Sequence, residues 1–180
     1  RWLTQDEVSS DEKILQQGAL GFHKAGFFDK IIDIEECLLQ DDLTNQIRNF
    51  IRDFVLENDY TYYDIKAHTN LMRNLIIRNT TLGQWMLIVV FAYDDKDKIQ
   101  KLMDALKDRF PEITSLNYVI NEKYNDTIYD REVVTWHGDP FIVEQLKNVK
   151  YKIGPKSFFQ TNPKQAEVLF DIALEYADLK

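Results

Sequence analysis

The chain reads as an α+β domain with a mixed, largely antiparallel sheet and helices packed against it. Apolar residues recur at helical spacing in two well-bounded stretches, and runs of alternating or continuous apolar character lie between them. The order is strand–strand–helix, strand–strand–helix, strand–strand–strand, helix, which suits a mixed sheet with helices packed on it. A length of 180 residues, 44% apolar and 29% charged, is one domain's worth of globular sequence.

Residues 19–23 and 30–34 flank a turn at Gly26 and read as a pair of short strands. Residues 41–58 form a helix, because Leu43, Ile47, Phe50, Ile51, Phe54 and Val55 line one face and Asp41 or Asp42 can cap it. Strands at 71–78 and 84–93 are joined by Asn79-Thr80-Thr81-Leu82-Gly83 as a hairpin. The stretch from Trp85 to Phe91 is apolar at every position, so it belongs in the middle of the sheet with both faces covered. A second helix spans 95–110 through Ile99, Leu102, Met103 and Leu106, and Pro111 ends it. Further strands are predicted at 115–121, 127–135 and 149–153. In the last, Val149, Tyr151 and Ile153 point one way and Lys150 and Lys152 the other. A third helix opens with Asn162 as cap and Pro163 in its first turn and continues to the chain end. No repeat or Gly/Pro/Ser linker marks an internal boundary.

Several function classes are excluded by what the residues do not spell. The six glycines never fall as G-x-G-x-x-G or as a P-loop, so no dinucleotide or nucleoside triphosphate cradle is visible. His23, His68 and His137 are scattered, without H-E-x-x-H or Cys-x-x-Cys, which argues against zinc; each reads as a surface or hydrogen-bonded loop residue. The longest apolar run, 85–93, is nine residues, well short of the roughly 20 that a membrane span needs. Arg1-Trp2-Leu3-Thr4-Gln5-Asp6 does not read as a signal peptide, and the single cysteine, Cys37, fits a reducing compartment. A cytoplasmic domain, or a piece of one, is expected, and the two N-x-Thr sequons are then chance matches.

The net charge of −8 at first speaks against a polyanionic partner. Its distribution does not. Residues 65–93 hold Lys66, Arg73 and Arg78 with no acid, and residues 145–166 hold Lys147, Lys150, Lys152, Lys156 and Lys164, again with none. Brought together, the two stretches would make a basic face for phosphate; left apart, their cations are solvated strand residues.

One segment departs from ordinary sheet sequence: Ile153-Gly154-Pro155-Lys156-Ser157-Phe158-Phe159-Gln160-Thr161-Asn162-Pro163. Adjacent aromatics, an amide and then a helix start are the tools for holding an unstacked nucleobase. The other reading is a strand end whose Phe pair enters the core while Asn162 merely caps the helix.

This segment resembles the signature leading into the methyltransferase domain of bacterial RNA uracil-5-methyltransferases of the RumA/TrmA type, which act on 23S ribosomal RNA or tRNA. The stretch from Gly21-Phe22-His23 to Asp33-Ile34-Glu35-Glu36-Cys37 agrees with the family in order. So do Leu71-Met72-Arg73-Asn74-Leu75-Ile76-Ile77-Arg78 and the run from Ile113 to Asn121 followed by Asn125-Asp126. The resemblance covers nearly the whole chain and is closest to the 23S ribosomal RNA branch.

The resemblance implies that the chain is a part. Residues 1–153 correspond to a central, RNA-positioning α+β domain. Residues 154–180 correspond to the signature loop and the linker helix into an S-adenosylmethionine-binding domain. In the family an OB-like domain and three cluster cysteines come first; the nucleophilic cysteine, the general-base glutamate and the methyl-donor motif come afterwards. The thiolate adds to C6 of the uracil and the methyl group goes to C5. The implied partners are 23S ribosomal RNA and the catalytic and OB-like domains of the same protein, with no membrane, and the isolated segment is expected to be inactive. By position, Gln160 would touch S-adenosyl-L-methionine and the surroundings of the flipped uracil. Phe158 would offer a stacking face, and Cys37 would be the fourth ligand of a [4Fe–4S] cluster in the full-length protein. Arg73, Arg78, Lys150, Lys152 and Lys156 are the candidates for RNA backbone contacts. The alternative is a non-catalytic acidic protein-interaction domain of shared ancestry. A tRNA-directed enzyme, a branch without the cluster, fits Cys37 less well.

Overall fold

The computed structural model describes residues 18–178. The N-terminal segment read above for a leader, and Leu179 and Lys180 at the end of the third predicted helix, lie outside them. The described elements are, in order, β1 (Gly21–His23), β2 (Ile31–Asp33), α1 (Asp42–Glu57), β3 (Met72–Asn79), β4 (Trp85–Phe91) and α2 (Lys96–Arg109), followed by β5 (Ile113–Ile120), β6 (Val133–Gly138), β7 (Ile142–Leu146), β8 (Val149–Ile153) and α3 (Pro163–Ala177). β1 and β2 pair with each other, as do β7 and β8, and a four-stranded sheet runs β3-β4-β5-β6. The class is α+β, as the sequence predicts.

Strand directions follow from the ladder. Thr80 N donates to Gln84 O (3.0 Å) at the hairpin, and Ala92 N to Leu71 O (2.8 Å) at its far end, so β3 and β4 are antiparallel. Trp85 N donates to Thr114 Oγ1 (3.3 Å) and Asn121 N to Phe91 O (2.8 Å), so β4 and β5 rise together. A parallel pair needs a crossover, which α2 supplies. β5 and β6 are antiparallel, with a bulge between Leu116 and Asn117. β4 lies between two partners and all seven of its residues are buried, as an unbroken apolar run requires.

The chain divides into two compact units. One comprises the residues up to Asn74, Val90–Phe110 and Ile120–Thr127; the other comprises Leu75–Val89, Pro111–Val119 and the chain from Ile128 on. In the first, Asp41 caps α1 by accepting from Leu43 N (3.2 Å), and Ile47, Ile51 and Val55 are buried along one face. Asp95 caps α2 through Lys98 N (3.2 Å), with Ile99, Leu102, Met103 and Leu106 buried. Each such buried side chain contributes roughly 1.5–3 kcal/mol. Phe50 meets Phe110 edge-on at 5.4 Å, and Phe54 meets Tyr60 at 5.6 Å. The Tyr60 hydroxyl donates to Lys98 O (2.8 Å), and burial pushes its phenol up to about 12.

In the second unit, Ile142 and Leu146 of β7 and Ile153 of β8 are buried. Strand β7 is not anticipated from the sequence, because the middle residue of its inner face is a carboxylate. Glu144 is 1% exposed and accepts from Thr81 N (2.9 Å), Thr81 Oγ1 (2.5 Å) and Gln145 N (2.8 Å). It is a buried charge made tolerable by donors, and it ties the 80–83 turn to β7. The strand expected at 127–135 begins only at Val133. At its end Gly138 takes φ +77°, and a Cβ there would stand 2.1 Å from Thr114 O, so no other residue fits.

Candidate functional site

The signature loop leaves β8 through buried Ile153 and turns at once. Gly154 N donates to Ser157 Oγ (3.0 Å) and Ser157 N to Gly154 O (3.0 Å), closing Gly154-Pro155-Lys156-Ser157 on itself. Arg78, from β3, fastens the turn from below: its Nη1 donates to Gly154 O (3.2 Å) and Ser157 O (2.8 Å). Lys156 Nζ donates to the carbonyl of Arg131. Beyond this turn the two phenylalanines separate. Phe159 is half-buried and tilts against Tyr151 at 5.7 Å, whereas Phe158 is 82% exposed. The alternative in which the Phe pair fills the core therefore holds for neither ring in full. Gln160 is exposed beside Phe158. Asn162 then caps α3 by accepting from Gln165 N (3.1 Å), with Pro163 in the first turn. α3 is pinned at this end by buried Ala166 and by Glu167 Oε1, which accepts from Lys147 N (2.5 Å). The result is a backed loop that offers one free aromatic face and one amide, which can both donate and accept.

The five candidate cations do not behave alike. Lys150 and Lys152 are exposed on β8, and Lys152 Nζ lies 4.5 Å from the Phe141 ring centre. Lys156 and Arg78 turn inward onto carbonyls, as described above. Arg73 goes furthest. Its side chain is 1% exposed, and it donates from Nη1 to Asn121 O (2.7 Å) and the Lys123 carbonyl, and from Nη2 to Asn125 O (2.9 Å). Nε and Nη2 both reach Asp126 Oδ1 (3.3 Å). Expected from the sequence as a phosphate contact, Arg73 instead holds the 121–126 loop, because a guanidinium fork matches several acceptors at once. Arg73, Arg78 and Lys156 thus belong to the scaffold, and Lys150 and Lys152 to the surface.

Cys37 sits in a third such arrangement. Arg48, 4% exposed, donates to Ile34 O (3.2 Å), Glu35 O (3.1 Å), Gln40 Oε1 (3.2 Å) and Asn45 Oδ1 (2.8 Å). Asn45 Oδ1 also accepts from Cys37 N (2.9 Å). The loop carrying the thiol is therefore built rather than loose. One thiol is a single ligand of the four that a [4Fe–4S] cluster takes, and among the described residues no group of three or more His, Cys, Asp or Glu could hold a metal. The described residues do not make a cluster site by themselves.

A further cluster has no signal in the sequence, since Tyr124 is far along the chain from Tyr63, His68 and Arg73. The Tyr63 hydroxyl is 2.9 Å from His68 Nδ1, the His68 ring lies over Tyr124 at 4.1 Å, and Arg73 Cζ lies 4.4 Å from the Tyr63 ring centre. The turn that carries His68 is set by Asp64, whose carboxylate accepts from Lys66 N (2.8 Å) and Ala67 N (3.0 Å). The amides of Ala67 and Lys66 hold this carboxyl below its usual value.

No family model matches the chain. It is 45% identical, over 99% of its own length, to a protein of Bacteroides thetaiotaomicron known as an uncharacterized RNA methyltransferase, of which it covers 40%. A similarly named protein of Porphyromonas gingivalis gives the same identity and coverage. Among solved structures, the Pyrococcus abyssi tRNA (uracil-54, C5)-methyltransferase in complex with S-adenosyl-L-homocysteine matches with a TM-score of 0.69 and 27% identity. That match covers 87% of this chain and 38% of that one. The chain spans about two fifths of the length of the curated relatives it matches.

Proposed function

We propose, from the premise that this chain belongs to the RumA/TrmA-type RNA methyltransferase family, that it is the RNA-positioning segment of a uracil-5-methyltransferase. Residues 1–153 act as the central domain, and 154–180 as the loop and helix leading into a donor-binding domain outside this chain. In the full-length protein S-adenosyl-L-methionine supplies the methyl group, and the nucleophile and base lie beyond this segment. The residues here orient and exclude. Phe158 offers a flat face to a uracil taken out of its stack, and the Gln160 amide bonds the edge of the base or the donor beside it. Lys150 and Lys152 meet RNA phosphate. The observation that carries this reading is the outward presentation of Phe158 and Gln160 on a loop fastened by Arg78 and Ser157. Gln160→Ala in the full-length protein should fold normally and lose most of its turnover with 5-methyluridine as the measured product. Wild-type turnover would remove Gln160 from the site.

The proposed substrate is 23S ribosomal RNA, on the branch that the sequence resembles most. The archaeal neighbour, a tRNA methyltransferase, favours a second reading, in which the substrate is tRNA. Offering both transcripts to the full-length protein, with labelled methyl donor, separates the two. Label in neither, with the protein folded, would favour a non-catalytic role. Cys37 is proposed as one ligand of an iron–sulfur cluster whose other cysteines come from outside this chain. Iron content should fall in Cys37→Ser, and equal iron in the two proteins would reject the assignment.

A further inference from the structure

We propose that the cleft between the turn at 62–70 and the loop at 121–126 seats a second nucleobase of the RNA, apart from the uracil that meets the signature loop. The inference rests on the reading that the full-length protein acts on RNA. The cleft encloses about 410 Å³, within the range of small-ligand sites, and Tyr63, His68, Asn70, Arg73, Tyr93 and Tyr124 line it.

Three observations point to a base. The first is a tier of rings ordered outside the core. His68 stacks on Tyr124 with 31° between planes, its Nδ1 meets the Tyr63 hydroxyl, and Tyr124 remains 77% exposed. Rings fixed by one another, with a broad face left in solvent, form a stacking platform rather than core filling. The second is backbone conformation. His68 and Asn70 take φ of +55° and +80°, left-handed values that cost a non-glycine residue about 1 kcal/mol or more each. Asn70 Nδ2 bonds to Tyr62 O (3.0 Å) and Asp64 gathers the amides of Lys66 and Ala67, so the turn is held where the ring tier needs it. The third is charge. The cation lining the cleft, Arg73, has its guanidinium committed to three carbonyls and Asp126, and Glu122 also lines the wall. Such a wall does not attract phosphate. It accepts a neutral flat ring whose edge groups can bond to Thr69, Asn70 or Glu122.

The full-length protein tests this with a short single-stranded RNA containing 5-iodouridine. Irradiation of the wild-type complex should cross-link RNA to the peptide carrying Tyr124 or His68. Tyr124→Ala should raise the Kd for the RNA about five- to hundredfold, the range of one base–aromatic stack, while leaving methyl-donor affinity unchanged. Tyr124→Phe should restore binding. An unchanged Kd in Tyr124→Ala, no cross-link in either peptide, or failure of Tyr124→Phe to rescue would each overturn the proposal. Because the cross-link is read on wild type, a folding defect in the variant cannot decide the matter. Methylation of RNA by a protein that fails these tests leaves the proposed function standing without this site; a wild-type protein that neither binds nor methylates RNA removes both.

Discussion

Arg73 and Arg78 sit on the same strand, and each grips a loop, but they grip differently. Arg73 is sealed from solvent and spends its donors on three carbonyls and a carboxylate of 121–126. Arg78 uses one nitrogen on two carbonyls of 154–157. The first loop lies at the surface but is held along its length from a buried guanidinium; the second is fastened only at its base, while Phe158 and Gln160 stand out beyond it. A loop tied only at its foot leaves its tip free to adapt to what it meets, whereas one tied along its length presents a fixed wall.

The contrast can be tested by removing each grip. Arg73→Ala should cost the most, about 3 kcal/mol in a urea or thermal unfolding measurement, because it strands three carbonyl acceptors that the guanidinium had satisfied. Arg73→Lys should recover little, since an ammonium cannot span them. A loss under about 1 kcal/mol would mean that water replaces the guanidinium and that Arg73 is not what holds the loop. Arg78→Ala should cost less in stability, about 1 kcal/mol, yet lower turnover of the full-length protein at least as much as a partial loss of Gln160 placement would. Equal stability losses in the two variants would erase the distinction.

The smallest effect concerns pH and is confined to the first unit. The Tyr60 phenol titrates near 10 when unfolded and is raised to about 12 when folded, chiefly by burial. Its contribution is therefore complete below pH 10 and lost as pH climbs to about 12. Stability measured across that window should decline in the wild type, and Tyr60→Phe should flatten part of the decline.

What could be read from the sequence divides along the same line. Local rules carried α1 and α2 down to their caps: Asp41 and Asp95 are the N-caps, and the predicted bounds of 41–58 and 95–110 are the helices together with their cap residues. The buried run of β4 was equally plain. Strand β7 was hidden because Glu144 interrupts its apolar face, and only the partner at Thr81, on a distant turn, makes that carboxylate an inner residue. β6 starts late because the chain ahead of it turns, with Arg131 N donating to Ile128 O (3.1 Å). Of the site, the motif 153–163 was legible as a departure from sheet sequence, but not which of its two rings stands outward. The fate of Arg73 was hidden too, because nothing in a strand sequence reveals whether an arginine ends in water or among carbonyls. The Tyr63–His68–Tyr124 tier was likewise invisible, being assembled from two distant turns.

The inward turn of Arg73, Arg78 and Lys156 carries one more consequence. With these three cations spent on backbone oxygen, the proposed phosphate grip of this segment shrinks to Lys150 and Lys152. Few condensed counterions would then be released on association with a single strand, so the segment's share of the slope of log K against log salt is only about −1.4. Its hold on RNA would persist at ionic strengths that strip a lysine-coated protein from the same strand, and would answer more to the shape of the nucleotides than to their charge.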